Sequence, residues 1–166
     1  MTSKPLRKVV PEQPMDVEHL FKGRSVGIIS AGRDNLPEAE NNKRHKALHS
    51  SLKKLGHIVI PAEGGYVHNY GTPQARPTHE KSFIVAHKNP GSDGGQVYRD
   101  LIHLGKHYGQ DSILHKPHDS DIASFHGTND SAKPGIGKYD TVGKLKMDKA
   151  GEFYTRLANG RTFVFE

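Results

Sequence analysis

The chain has 166 residues, a formal net charge of +6 and no cysteine. That length suits one domain; the missing cysteines exclude disulfides and thiolate chemistry; and no run approaches the ~18 apolar residues of a membrane span. Hydrophobic residues make up only 33% of the chain, so either exposed loops surround a lean core or an oligomer shares its burial.

A pI of about 9.5 favours anionic partners. The lysines and arginines are scattered, however, and neither an aromatic–basic RNA-binding pattern nor zinc-finger spacing is present, so there is no specific nucleic-acid signal. The opening MTSKPLRKVVPEQP lacks the apolar centre of a secretory signal. A cytoplasmic protein is the expectation.

Residues 1–22, with Pro5, Pro11 and Pro14, read as an extended arm ending in a short helix through Val17 to Phe21. The β-branched run Ser25 to Ala31 predicts a first strand. Asp34 or Asn35 offers an N-cap, with Pro37, Glu38 and Glu40 suited to a helix start. Leu48, Leu52 and Leu55 then form a helical stripe that Gly56 ends. A strand at His57–Pro61, a long polar loop, and a strand at Ser82–Ala86 follow. Val97, Leu101, Leu104 and Tyr108 mark a second helix closed by Gly109. Asp111–His115 predicts a fourth strand, with Ile122–Phe125 as its hairpin partner. Residues 127–150 lack periodicity and read as irregular, and Thr162–Phe165 is a last strand.

The order is β-α-β-β-α-β with a C-terminal β appendage. It predicts an α+β, ferredoxin-like antiparallel sheet with two helices on one face. The other face must meet water or another subunit, which points to a homo-oligomer. The divisions are an arm at 1–22, a core at 23–127 and an irregular extension with a terminal strand at 128–166.

Few patterns carry chemistry. The strand end at Gly32–Asn35 could hold an anion on free helix N–H groups, although a capped helix is the plainer reading. Asn41, His45, Leu48 and Leu52 share one helix face, polar above and apolar below. His103 and His107 stand at i, i+4, but no HExxH and no third ligand accompany them, so no metal site is predicted. His115, His118 and His126 cluster without a recognisable spacing. Neither G-x-S-x-G nor a Walker A loop is present, and Gly135–Lys138 reads as loop. There remains the stretch AEGGYVHNYGTPQARPTHEKSFIV, residues 62–85. Gly64 and Gly65 permit unusual backbone, Tyr66 follows at the sheet edge, and Glu80 stands at the threshold of the third strand. In a hairpin those two side chains can approach each other, making a site that prefers a cation, although an ordinary surface loop with a solvated Glu is the plainer reading.

In this order, ISAGRDNL, Asn41-x-x-Arg44-His45, Gly65-Tyr66, Glu80-Lys81 and Gln110-Asp111 resemble the phage S-adenosylmethionine lyases, formerly called S-adenosylmethionine hydrolases. The resemblance covers about residues 25–127. It implies a PII-like trimer that binds S-adenosylmethionine at the subunit interface and releases methylthioadenosine and homoserine lactone, depleting a host's methyl donor and so blunting methylation-dependent defence. By motif, Glu80 and Tyr66 would be catalytic. Ser30, Ala31, Arg33, Asn41, Arg44, Gly65 and Gln110 would bind or position substrate. The Tyr66-to-Glu80 loop is a few residues longer than in such relatives. The resemblance implies no cofactor besides the substrate itself, and host cytoplasm as the location. The competing readings are a non-catalytic PII-like ligand-binding module and a phage structural or accessory protein, both favoured by the glycine-rich C-terminal segment.

Overall fold

The computed structural model describes residues 16–149 and 151–166. Residues 1–15 of the expected arm therefore lie outside the described residues. Helix α1 (Val17–Phe21) leads into β1 (Val26–Ile29), α2 (Glu38–Lys54), β2 (Ile58–His68), β3 (Arg76–Ala86), α3 (Gln96–His107) and β4 (Ser112–Lys116). Five further strands complete the chain: β5 (Ala123–Gly127), β6 (Tyr139–Gly143), β7 (Leu145–Met147), β8 (Phe153–Leu157) and β9 (Thr162–Phe165).

All nine strands belong to one antiparallel sheet in the order β6-β5-β4-β1-β3-β2-β8-β9-β7. Its two outermost strands, β6 and β7, are consecutive in the chain and separated only by Lys144. The ends of the sheet therefore meet, and the sheet curls into a nearly closed barrel, the arrangement that removes exposed strand edges. At the junction Gly143 has φ 133°, and a Cβ there would lie 2.2 Å from the Glu166 backbone. Only glycine fits where the two edges pass.

This corrects the expected ferredoxin-like sheet. The predicted order of strands and helices is present from β1 to β4, but it is one part of a nine-stranded barrel rather than a small sheet with one open face. Two features hid the barrel. The polar stretch between the second and third expected strands is itself strand, since β2 and β3 pair over 11 residues from Ile58↔Ala86 to His68↔Arg76. The segment read as irregular, 127–150, contains β6 and β7, and β8 follows it. The expected N-cap also moves: Pro37 occupies that position without a side-chain bond, because Asp34 and Asn35 sit in a turn closed by Leu36 N–H to Arg33 O.

The apolar residues divide between the two faces of the sheet. Outside, Ile29, Phe83, Val85 and Ile113 pack under Leu48 and Leu52 of α2 and under Val97, Leu101 and Leu104 of α3. Inside, Val26, Ile84, Ala86, Ala62, Leu157 and Phe163 pack around Val17, Leu20 and Phe21 of α1. The short α1 thus fills one end of the barrel. Asp16 caps it by accepting from the His19 amide at 3.2 Å.

Candidate functional site

Strand alternation decides what the other end of the barrel contains. Along β2 the inward residues are Ile58, Ile60, Ala62, then Gly64 and Tyr66; along β3 they are Ala86, Ile84, Ser82, then Glu80 and Thr78. The inner wall turns from apolar to polar at the level of Ala62 and Ser82. Beyond that level lies an open cavity of about 1230 Å³, lined among others by Ser30, Tyr66, Glu80, Ser82, Phe125 and Phe153. It exceeds the ~300–1,000 Å³ of ordinary small-molecule pockets, so it has room for a nucleoside carrying an amino-acid tail.

Glu80 pairs with Gly64, and Tyr66 with Thr78. The two side chains are diagonal neighbours on one face, within reach across a strand pair. Glu80 bonds to the Ser30 side chain at the end of β1. Cavity water reaches the Glu80 side chain from one side while protein surrounds its carboxyl on the others. Burial pushes that carboxyl up to about 7, and Asp34 adds to the rise; Arg33 and the Ser30 bond oppose it. The Tyr66 ring lies 4.8 Å from Phe153 at 39°. Phe125 reaches Phe153 from the far wall, 6.4 Å between ring centroids at 65°.

The loop over Glu80 is held from outside. The Asn41 amide accepts from the Arg33 N–H at 3.0 Å and donates to the Arg33 carbonyl at 2.9 Å. The Arg44 guanidinium donates to the Ala31 carbonyl at 2.7 Å and to the Tyr108 carbonyl. Gln110 donates to the Gly32 carbonyl at 3.1 Å. Arg33 itself donates to the Gly109 carbonyl at 2.8 Å and pairs with Asp111 at 3.2 Å. An ideal Cβ on Gly32 would stand 3.6 Å from a Glu80 carboxyl oxygen, so this loop forms the roof over that group.

The chain matches the profile of the S-adenosylmethionine lyase family over residues 27–166. It belongs to that family. No curated protein matches it. The family match runs past residue 127, through every strand of the C-terminal half, so those strands are part of the family's unit.

For a member of the S-adenosylmethionine lyase family the residues named from sequence fall into two groups. Ser30, Arg33, Gly65, Tyr66, Glu80 and Gln110 line the cavity. Ala31, Asn41 and Arg44 stand behind the loop, with the Ala31 carbonyl already engaged by Arg44. Gly65 has a local reason of its own: the Tyr154 ring lies flat across it, 2.3 Å from where a Cβ would be, and its hydroxyl meets His79 at 2.7 Å.

Sequence reading missed the wall supplied by β5, β6 and β8, above all Phe125, Asp140, Phe153 and Thr155. The alternation in Phe153-Tyr154-Thr155-Arg156-Leu157 was the available signal, since its first, third and fifth residues turn inward. Among the described residues no group of three or more His, Asp or Glu could hold a metal ion, and no helix is long and apolar enough to cross a membrane. His103 and His107 are exposed on α3, while His115 is buried with its Nε2 2.8 Å from Ser25 Oγ.

Proposed function

We propose that the protein is a lyase converting S-adenosylmethionine to methylthioadenosine and homoserine lactone inside the barrel cavity. The observation that carries this reading is the cavity-lining Glu80 carboxyl, on the same inner face as Tyr66, in a chain of the S-adenosylmethionine lyase family. The sulfonium of S-adenosylmethionine is a ready leaving group. The substrate's own carboxylate oxygen attacks Cγ, the Cγ–S bond breaks with its electron pair going to sulfur, and a five-membered lactone closes. No proton moves, and the substrate supplies its own nucleophile. The protein's task is to fold the methionine tail into the attacking shape.

In this reading Glu80 holds the cationic or ribose side of the substrate and Tyr66 orients the tail. Backbone around Ser30 and Ala31, held by Asn41 and Arg44, shapes the pocket, and Arg33 and Gln110 steady its rim. Charge is lost as carboxylate and sulfonium neutralise each other, so any water that the bound substrate displaces from the cavity favours reaction over solution. The same proposal includes a homotrimer acting in the cytoplasm of a phage-infected host, and light scattering tests the subunit count.

Purified protein incubated with S-adenosylmethionine should yield methylthioadenosine on chromatography. Glu80→Gln should lower the rate at least 100-fold, and Tyr66→Phe about 10-fold. Binding without turnover would favour a non-catalytic module. Neither binding nor turnover would leave an accessory role as the better reading.

A further inference from the structure

Phe153 is a large apolar side chain 55% exposed on the inner strand face, where its neighbours in β8, Thr155 and Leu157, are buried. It belongs to a trio. Tyr66 flanks it at 4.8 Å from the adjacent strand, and Phe125 meets it at 6.4 Å from a strand five places away in the sheet. Rings from opposite walls thus converge across the cavity, and the exposure of Phe153 shows that they leave part of its surface uncovered. Open aromatic surface lining a cavity is a stacking platform for a flat ring.

We infer that Phe153, with Tyr66 and Phe125 beside it, is the platform on which the purine of the substrate stacks. This rests on the proposed lyase reading and assigns its nucleoside end. Carboxyls and rings compete for the sulfonium: Glu80, and also Asp34, Asp111, Asp140, Glu152 and Glu166, line the same cavity as the aromatic trio. A carboxylate attracts a cation more strongly than a ring face does. In the proposed lyase reading the sulfonium goes to Glu80, and the neutral purine takes the rings. The spacing agrees. Glu80, Gly64 and Thr155 stand at one level across β3, β2 and β8, and Phe153 is one inward residue beyond Thr155. Backbones so placed are roughly 12 Å apart, and the two side chains converge into the barrel, leaving space for the ribose between them.

The test uses two partial ligands and the intact protein. Methylthioadenosine has the purine without the sulfonium or the amino-acid tail; S-methylmethionine has the sulfonium and tail without the purine. Phe153→Ala should weaken methylthioadenosine binding roughly 5- to 100-fold and leave S-methylmethionine binding unchanged. Phe153→Trp should restore the first and Phe153→Leu should not, since leucine keeps apolar bulk without a ring face. Glu80→Gln should give the reverse pattern. Equal methylthioadenosine binding by wild type and Phe153→Ala, or full rescue by leucine, would overturn the platform while leaving the lyase reading standing. If wild type binds S-adenosylmethionine and neither partial ligand nor product, both assignments of the cavity fail together.

Discussion

Glu80 is a carboxyl whose environment argues against its charge, and that has consequences of definite sign. Its folded value is raised from 4.5 to about 7. The group therefore costs no stability below about pH 4.5, and the cost appears as pH climbs from there through 7. Glu80→Gln should raise the melting temperature at pH 8 and have little effect at pH 4.5, which calorimetry across that range measures. Function runs the other way. A carboxylate that attracts a sulfonium is more fully charged as pH rises, so kcat/KM should increase through about pH 7 and level off above it, and Glu80→Gln should abolish that rise along with the activity. The same group would thus trade stability for binding.

His115 titrates in the opposite sense. Burial is the main reason its folded value lies at about 4, with the neighbouring His126 adding to the fall. The unfolded chain takes the proton first, so stability is constant above about 6.5 and declines as pH falls from 6.5 toward 4. His115→Gln should flatten that acid limb in urea titrations at pH 7 and pH 5.

Among the elements, α1 and the loop after β1 do the positioning. Phe21 is 3% exposed and packs on Phe163 and Phe165 at 6.0 and 5.9 Å. Phe21→Ala should cost about 3–5 kcal/mol in urea unfolding, the range for a large ring lost from a core. Arg44 donates to the Ala31 and Tyr108 carbonyls, the second of which also accepts from the Gln110 side chain at 3.3 Å. Arg44→Ala should cost ~1–3 kcal/mol and raise KM more than it lowers kcat, because the loop over Glu80 loses its outer support.

How legible these elements were follows from what each strand faces. The first, third and fourth strands and both long helices touch the outer core, so apolar periodicity announced them. The distal halves of β2 and β3 face an open cavity on one side, and Gly64, Gly65, Thr78 and Glu80 carry no apolar alternation to read. Tyr139 and Asp140 of the edge strand β6 are exposed, so nothing apolar marked it either. That Tyr66 and Glu80 fall on one strand pair was readable because a hairpin brings its strands together whatever the length of its turn, although the register sets Tyr66 against Thr78 and Glu80 against Gly64. The inward turn of Phe153 was readable from alternation in β8, but its contact with Phe125 was not, because the two are distant in the chain and meet only when the sheet curls.

At the scale of the whole molecule, closure of the sheet makes the site. The four strands β4, β1, β3 and β2 alone would present Glu80 and Tyr66 on an open face; β5, β6 and β8 supply the opposite wall and the C-terminal strands join the edges. Closure depends on the close approach at Gly143. Gly143→Val would press a branched side chain into the Glu166 backbone at a φ of 133°, so it should destabilise by more than ~2 kcal/mol and reduce ligand binding even where the variant remains folded. Calorimetry with and without S-adenosylmethionine separates the two effects.

In the proposed reaction the cavity turns the substrate's own carboxylate into the nucleophile. Turnover of S-adenosylmethionine in ¹⁸O-labelled water, sampled early by mass spectrometry, tests it directly. Lactonisation predicts methylthioadenosine together with homoserine lactone that carries no label. Homoserine bearing ¹⁸O on its γ-hydroxyl would show that water attacks Cγ instead and would rule out lactonisation.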